Sequence, residues 1–385
     1  GQRCSSLRVL FLQDEIADDI IRRLKGAMNE LIIGDPSQLT TDIGPIIDHT
    51  AIKNLTNHLK YLNKIAIKHY ACQQNKQEEN VVEKNLFFMP QLYELTSLAQ
   101  LPNEVFGPII HIIRFSNNKF SQLIEEINNS GFALTLGLHS RLSCRHQQVI
   151  KQAKVGNIYI NKSMIGAVVG SQPFGGRNLS GTGPKAGGPH YLTPLIIKEP
   201  LPANRTTNSE LKKHLNTPLN KKQMSFCIDV LNRNHKQQLK WQALPSKQRL
   251  LRCLNFIDSD WLKELTNAQQ RQKLKTVLHN FHQRINQIIS LSGPTGEENT
   301  LRFEPKGLVT GIHNNDNDIY HSIYQILTAI LSGNSVVFLA TETHLLHFKE
   351  LNKQLEKVNI PKYLVSPLPF LYLSQIINAP ILKLI

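Results

Sequence analysis

The sequence has no long hydrophobic run. No stretch reaches the roughly 18 uninterrupted apolar residues that a membrane-spanning helix needs. The first residues also lack the basic-then-apolar pattern of a secretory signal peptide. These absences lead us to expect a cytoplasmic location.

Cysteine is scarce and scattered. The sequence has no CxxC pair and no Cys/His cluster at metal-ligand spacing. Its five cysteines are Cys4, Cys72, Cys144, Cys227 and Cys253. An odd number of distant thiols predicts reduced cysteines, one of which is reactive, and no metal site.

Acidic residues are few relative to basic ones: 29 Asp and Glu face 44 Lys and Arg, a formal net charge of +15. Such a charge suits a polyanion partner only when the basic residues cluster. Here they are dispersed, with short runs such as Lys212–Lys213, and no recognition helix or zinc-finger pattern accompanies them. We therefore favour a basic solvated surface over nucleic-acid binding.

The sequence contains enough apolar residues to form a hydrophobic core. It also shows alternating strand and helix patterns. Hydrophobic residues make up 41% of 385 residues, which predicts two or three globular domains. The strand patterns are Leu7–Leu12, Pro108–Phe115, Ala133–Ser140 and Gly156–Asn161. Helical patterns follow Asp14, taken as a cap, and cover Thr50–Tyr70 and Phe120–Ser130. This alternation predicts an α/β fold with a parallel-rich open sheet and helices on both faces.

Glycine is concentrated in one place, Ile165–Pro189, too densely for a regular element. A proline-bearing polar stretch at 201–222 predicts a linker between a first domain, 1–200, and a second, 223–385. The second domain begins with helical sequence over Lys221–Leu291. A further α/β pattern follows, comprising a strand within Leu301–Ile312, a helix over Ile319–Leu331, a strand at 333–339 and a helix near Thr343–Val358.

Cys4 is the candidate nucleophile because it lies in a polar turn, GQRCSS, directly before a predicted strand. A cysteine attacks as its thiolate, which a nearby cation such as Arg3 would stabilise. Taken alone, a single cysteine is more often an inert buried side chain.

Three motifs in one order change that interpretation. GQRCSSLRVL, NEVFGPIIHIIRF and GNIYINKSMIGAVVGSQPFGGRNLSGTGPKAGGPHYL follow one another over 1–194. Together they resemble the aldehyde dehydrogenase superfamily, and within it the L-glutamate γ-semialdehyde dehydrogenase module of the bacterial bifunctional proline-catabolic PutA family. The resemblance implies NAD-dependent oxidation of that aldehyde to L-glutamate.

The resemblance also implies a role for each matching position. Cys4 would be the nucleophile that forms a thiohemiacetal and then an acyl-enzyme, with its backbone amide in the oxyanion site. Glu104 would accept hydrogen bonds from the nicotinamide ribose of NAD, and Phe106 would lie beside the nicotinamide.

The glycine-rich segment resembles the family's aldehyde anchor. Gly166 and Ala167 would offer backbone N–H groups to the substrate carboxylate, as an anion-binding nest does. Ser5 would bind the same carboxylate and Phe174 would pack against the aliphatic chain. The alternative is that this segment is only a structural loop, in which the path of the backbone requires glycine. Residues 181–192 resemble the strand with which these enzymes reach a partner subunit, which implies a homo-oligomer or intrachain capping.

Residues 223–385 resemble a degenerate Rossmann-like copy of the cofactor domain, so we expect a structural role for them. The family's NAD-binding domain, oxyanion asparagine and flavin-containing proline dehydrogenase domain would all precede Cys4. FAD is therefore expected only in a longer parent protein, which would also make any peripheral contact with the inner membrane, and this portion alone is expected to be nearly inactive. A different aldehyde dehydrogenase and a non-catalytic scaffold remain the alternatives.

Overall fold

The structure is a computed structural model that describes residues 1–73, 86–196, 218–313 and 319–379. The chain divides into two units, Gly1–Leu195 and Ile196–Ile385. In the described ranges, no helix combines the length and the apolar character needed to cross a bilayer. Of the predicted linker, residues 201–217 lie outside the described residues, and a helix already begins at Lys221.

The first unit is built on a mixed four-stranded sheet. Its strands are Val9–Gln13 (β1), Ile67–Ala71 (β2), Gln91–Leu95 (β3) and Ile109–Phe115 (β4). Their spatial order is β1-β4-β3-β2, with β2 antiparallel to β3 and the other pairs parallel. Val9 lies opposite His111, so the residues preceding β1 and β4 emerge at the same edge of the sheet.

Helices cover both faces of this sheet. They are Asp14–Asn29 (α1) and His49–Ile65 (α2). Ile112 of β4 packs with α1, whereas Ile109 and Ile113 pack with α2, because alternate strand residues point to opposite faces. Burying one such side chain fully contributes roughly 1.5–3 kcal/mol. The predicted α/β class is confirmed.

Two local expectations were wrong. The predicted helix Thr50–Tyr70 ends at Ile65, and its last residues instead form β2, where β-branched and aromatic side chains suit a pleated edge strand. Asp14 does not cap α1: Gln13 is the N-cap without a side-chain bond, and Asp14 lies in the first turn. There its charge still favours the positive end of the helix dipole.

The rest of the first unit contains short elements. They are Phe120–Asn129 (α3), Phe132–Ala133 (β5), Thr135–Leu138 (β6), Ser143–Gln152 (α4), Asn157–Ile160 (β7) and Arg177–Asn178 (β8), with single 3-10 turns at Leu98–Gln100, Asn117–Lys119 and Thr193–Leu195. Strands β6 and β7 pair in parallel, and β5 pairs antiparallel with β8. The predicted strand Ala133–Ser140 is therefore split, since Leu134 separates β5 from β6.

The segment 181–192, predicted as an oligomerisation strand, forms no strand. Within it the structure has turns and one isolated antiparallel bridge, from Ala186 to Phe174. Gly187 adopts φ +68°, a left-handed conformation that interrupts extended pairing. The segment folds back on its own chain, and homo-oligomerisation stays a prediction.

The second unit combines helices with a parallel sheet. Its helices are Lys221–Gln242 (α5), Ser246–Ile257 (α6), Asp260–Leu265 (α7), Ala268–Asn286 (α8), Ile319–Leu331 (α9), Glu342–Lys357 (α10) and Leu373–Ile377 (α11), preceded by a 3-10 turn at Phe370–Tyr372. Its strands are Ile289–Leu291 (β9), Asn299–Leu301 (β10), Leu308–Ile312 (β11), Ser335–Ala340 (β12) and Val365–Pro369 (β13). Strand β12 pairs in parallel with both β11 and β13 and is buried at every position. Buried parallel strands joined by helices are consistent with the predicted Rossmann-like pattern.

Candidate active site

Cys4 lies in a tight turn that precedes β1. The amide of Ser6 donates to the carbonyl of Arg3 at 3.1 Å, and the amide of Arg3 donates to Oγ of Ser6 at 3.2 Å. The thiol of Cys4 is exposed, whereas Ser5 is 4% exposed. The turn therefore presents its sulfur to solvent and turns the neighbouring residue inward.

Arg8 holds this turn in place. Its Nη1 donates to the carbonyls of Gly1 at 2.9 Å and Ser6 at 3.2 Å, and its Nη2 donates to the carbonyl of Arg3 at 2.8 Å. A planar guanidinium offers several donors in fixed directions, which suits binding carbonyls on both sides of a turn. Arg8 thus fixes the backbone that carries Cys4.

The same guanidinium contacts the second motif. Nε of Arg8 lies 3.8 Å from Oε1 of Glu104, and its Cζ lies 4.2 Å from the ring centroid of Phe106. The residues of both motifs meet here because they precede adjacent parallel strands. Cys4, Glu104 and Phe106, which the sequence analysis singled out separately, are thereby grouped around Arg8.

The charges in this cluster are coupled. Burial lowers the pKa of Arg8, while the nearby charges of Glu104 and Cys4 raise it. From the sequence alone Arg3 is the expected cation near the sulfur, whereas the folded chain shows Arg8 in this role. A basic residue four positions after the cysteine, inside an otherwise apolar strand pattern, was the available signal.

A pair of histidines supports the cluster from within the unit. Nδ1 of His111 lies 2.9 Å from the carbonyl oxygen of Arg8, and its Nε2 lies 2.9 Å from Nε2 of His58 on α2. Burial lowers the pKa of His111 to about 4. These imidazoles are therefore neutral at physiological pH and act as hydrogen-bonding supports.

The glycine-rich segment is held by β7 and by its own return. The hydroxyl of Tyr159 donates to the carbonyl of Gly166 at 3.2 Å. Gly166 adopts φ +99°, and both it and Ala167 are exposed. Phe174 is partly buried, and its amide donates to the carbonyl of Ala186 at 2.9 Å.

The seven predicted site residues thus fall into two groups. The turn and the second motif bring Cys4, Ser5, Glu104 and Phe106 to one edge of the sheet, whereas β7 holds the segment with Gly166, Ala167 and Phe174. Residues 166–175 of that segment contact β7 and residues 185–188, and its later residues 177–180 contact β5 and Gly131. The roles of all seven residues stay predictions.

Comparison with known proteins gives consistent similarities. The sequence profile of the aldehyde dehydrogenase family matches residues 1–196. Bifunctional protein PutA of Salmonella typhimurium is 40% identical over 335 residues, which cover 85% of this chain and 23% of that protein. A 1-pyrroline-5-carboxylate dehydrogenase of a Geobacillus species is 30% identical over 194 residues, covering 50% of this chain and 36% of the relative.

Solved structures resemble half of the chain. A crystal structure of bifunctional proline utilization A has 46% identity and a TM-score of 0.47 and covers 50% of this chain and 19% of that one. A 1-pyrroline-5-carboxylate dehydrogenase from Thermus with bound NAD has 27% identity and a TM-score of 0.45, covering 50% and 36%. The chain spans about a quarter of the length of the PutA relatives that it matches. The profile match over half of its residues shows that the chain belongs to the aldehyde dehydrogenase family.

Proposed function

We propose that this chain carries the nucleophile and substrate-anchoring part of an enzyme that oxidises L-glutamate γ-semialdehyde to L-glutamate with NAD, a step of proline catabolism. The observation that carries the proposal is the grouping of Cys4, Glu104 and Phe106 around Arg8. Family membership supports the reaction class, and the names of the PutA and 1-pyrroline-5-carboxylate dehydrogenase relatives support the substrate.

In the proposed reaction the sulfur of Cys4 attacks the aldehyde carbon and a carbon–sulfur bond forms, giving a tetrahedral thiohemiacetal. The backbone N–H of Cys4 donates to the oxygen that becomes negative, and the turn held by Arg8 keeps that donor in position. NAD, when bound, would supply the hydride acceptor for this carbon, and loss of the hydride leaves a thioester on Cys4. Water then hydrolyses the thioester, which releases glutamate and regenerates the thiol.

Glu104 and Phe106 fit one end of NAD. The side chain of Glu104 is 34% exposed, and its nearest described cation, Nε of Arg8, stands 3.8 Å away. A carboxylate has about four acceptor positions, so Glu104 can accept from two ribose hydroxyls while remaining near Arg8. Phe106 is 44% exposed and offers a flat apolar surface for the nicotinamide ring.

The glycine-rich segment fits the carboxylate end of the substrate. The left-handed conformation of Gly166 allows successive backbone N–H groups to converge on one anion, as in a nest. The amide of Ala167 is the next donor along the chain. We assign to Ser5 a further hydrogen bond to this carboxylate and to Phe174 the packing against the aliphatic chain.

A segment exchange tests the proposal. The corresponding segment of Salmonella typhimurium PutA is replaced by this chain, and NADH formation from glutamate semialdehyde is followed at 340 nm. We expect turnover that Cys4→Ala abolishes and that Cys4→Ser lowers by about 10³-fold or more, because a serine hydroxyl lacks the nucleophilicity of a thiolate. Glu104→Gln is expected mainly to raise the KM for NAD, since it weakens an acceptor of the ribose hydroxyls.

The alternatives predict other results. A different aldehyde dehydrogenase would show no preference for glutamate semialdehyde over pentanal, an uncharged aldehyde of similar length. A scaffold would leave the exchanged protein folded and inactive, and its Cys4 would react with iodoacetamide no faster than Cys144, the other exposed thiol. Either outcome would overturn the proposed substrate or the proposed nucleophile.

A further inference from the structure

Lys185 makes an unusual set of contacts for a lysine. Its Nζ donates to the carbonyl of Gly156 at 2.5 Å, to Oδ1 of Asn157 at 2.9 Å and to the carbonyl of Gly175 at 2.7 Å. These three acceptors are neutral, and an ammonium group has three donors. Lys185 therefore joins the start of β7 to Gly175 in the glycine-rich segment, although Gly175 lies 18 positions after Asn157 in the sequence.

Asn157 completes the same connection. Its Nδ2 donates to the carbonyl of Pro173 at 2.8 Å, and its Oδ1 accepts from the amide of Gly175 at 3.3 Å. The peptide groups on both sides of Phe174 are thus bound to one side chain. Charge-assisted bonds from Lys185 to Asn157 and Gly175 strengthen this arrangement.

The backbone of Phe174 itself is bound twice. Its amide donates to the carbonyl of Ala186 at 2.9 Å, and the amide of Ala186 donates back to its carbonyl at 2.8 Å. Lys185 is adjacent to Ala186, so its side chain and its neighbour's backbone act on the same three residues, 173–175. Lys185, Asn157 and Ala186 together therefore hold the backbone from which the Phe174 side chain projects.

The backbones approach too closely for any side chain at Gly156. A Cβ placed there would lie 2.0 Å from the carbonyl oxygen of Gly175. Two carbonyl oxygens, of Gly156 and Gly175, therefore converge on the Lys185 ammonium, whose positive charge offsets their mutual repulsion.

We propose that Lys185 is a positioning residue for substrate binding, which with Asn157 fixes Phe174 where the aliphatic chain of the aldehyde packs. The inference rests on the proposed function for the identity of the substrate and for the packing of Phe174 against its aliphatic chain. Because its Nζ donates to the carbonyl of Gly175 and to Asn157, which binds the peptide groups on both sides of Phe174, the proposed role of Lys185 is exerted through Phe174 and not as the counter-ion of the substrate carboxylate. That distinction is open to experiment.

The first test measures how firmly the hydrogen bonds around Lys185 hold the backbone, and it requires no enzymatic activity. Amide hydrogen exchange is followed at Phe174, Gly175 and Ala186 in the 385-residue chain. Lys185→Met is expected to speed their exchange by about tenfold or more, because it removes the bond to the carbonyl of Gly175 and the bonds that connect it to Gly156 and Asn157. Lys185→Arg keeps the charge, but its planar guanidinium does not reproduce three converging bonds, so it gives a smaller increase. Lys60→Met, at an exposed lysine on α2, is the matched control without effect. Unchanged exchange in Lys185→Met overturns the proposal.

The second test measures substrate binding in the PutA protein that carries this chain as its segment. Lys185→Met is expected to raise the KM for glutamate semialdehyde and for pentanal by a similar factor of about ten, with a smaller effect on kcat, since Phe174 contacts the chain that both aldehydes share. A rise confined to glutamate semialdehyde would instead identify Lys185 as a carboxylate ligand and overturn the positioning role. If the PutA protein that carries this chain as its segment has no activity even with Lys185 intact, the proposed function fails. Amide hydrogen exchange in the 385-residue chain still decides whether Lys185 holds Phe174.

Discussion

Nε2 of His58 and Nε2 of His111 lie 2.9 Å apart, and this contact joins helix α2 to strand β4. Nδ1 of His111 faces the carbonyl oxygen of Arg8 at 2.9 Å, an acceptor, so Nδ1 carries the proton. Nε2 of His111 is then the acceptor and Nε2 of His58 the donor. These hydrogen bonds therefore connect His58 on α2, through His111 on β4, to the backbone of Arg8, whose side chain holds the turn that carries Cys4.

This arrangement predicts how stability depends on pH. Burial lowers the pKa of His111 to about 4, whereas an unfolded histidine titrates near 6.5. Between these values the unfolded chain binds more protons than the folded one, so the free energy of unfolding decreases as the pH falls from about 6.5 toward 4. Full protonation removes up to about 3 kcal/mol for His111, and His58, whose pKa burial also lowers, adds to the loss in the same direction.

An NMR titration of the histidine side chains measures this pKa directly, and amide exchange in β4 at several pH values measures the stability of the first unit. His111→Gln is the matched variant, because its amide can still donate to Arg8 and accept from His58 but does not titrate. We expect a flatter pH profile in that variant. A His111 that titrates near 6.5 in the folded chain would contradict the prediction.

Arg8 is expected to control the reactivity of Cys4. Arg8→Gln removes the positive charge near the sulfur and most of the bonds to the carbonyls of Gly1, Arg3 and Ser6. We expect Cys4 to react with iodoacetamide several-fold more slowly at neutral pH, because a thiolate is stabilised by a nearby cation. Cys144, exposed on α4, serves as the internal reference and should keep its rate. Equal slowing of both thiols would indicate a general effect of the variant and contradict the local role.

Sequence patterns predicted most of the elements because their apolar periodicity is strong. The helix over Ile319–Leu331 has the predicted bounds, and the strand at Ile109–Phe115 differs from its prediction by one residue. The helical pattern extends over residues 67–70 of β2, because nothing local reveals that a strand 20 or more residues later, β3, pairs with this part of the chain. Secondary structure that depends on a distant partner is not encoded in local periodicity.

The residues of the candidate site also differ in whether they can be identified from local sequence. Cys4, Glu104 and Phe106 lie in recognisable motifs, so they could be predicted from the sequence. Arg8 and Lys185 gain their importance from carbonyl oxygens that only the folded backbone brings together. Hydrogen bonds to backbone carbonyls leave no complementary residue type in the sequence, so neither side chain was identified from it.

One substitution, glycine to alanine, is expected to act with opposite signs at two positions of the first unit. At Gly156 the added Cβ would lie 2.0 Å from the carbonyl oxygen of Gly175, so Gly156→Ala should destabilise the unit by about 1–3 kcal/mol or more. At Gly26, inside α1, the Cβ meets nothing within 4 Å, so Gly26→Ala should stabilise it by about 0.5–1 kcal/mol.

Amide exchange in strand β4 is the suitable measurement for this pair, because both tryptophans, Trp241 and Trp261, belong to the second unit and do not report on the first. Similar effects of the two alanines, in either direction, would show that the close approach of Gly156 and Gly175 does not limit this position. A stable Gly156→Ala variant would also remove one support for the positioning role of Lys185.

The five thiols are expected to separate into two classes. Cys4 and Cys144 are exposed, whereas Cys72, Cys227 and Cys253 are buried. Burial raises the pKa of Cys227 to about 11 and that of Cys253 to about 12, and it also raises the pKa of Cys72. Because the thiolate is the reacting species, these three are both inaccessible and protonated at pH 8.

Titration with a disulfide reagent at pH 8 should therefore show two reactive thiols in the folded chain and the remaining three only after denaturation. Cys144→Ser should leave a single fast thiol, and in that variant the fast phase belongs to Cys4 alone, which gives the reference rate for the Arg8 comparison. A third fast thiol without denaturant would mean that one of the buried cysteines opens to solvent. If Cys4 itself reacted only after unfolding, the turn before β1 would not present its sulfur to a substrate, and a nucleophilic role for Cys4 would be untenable.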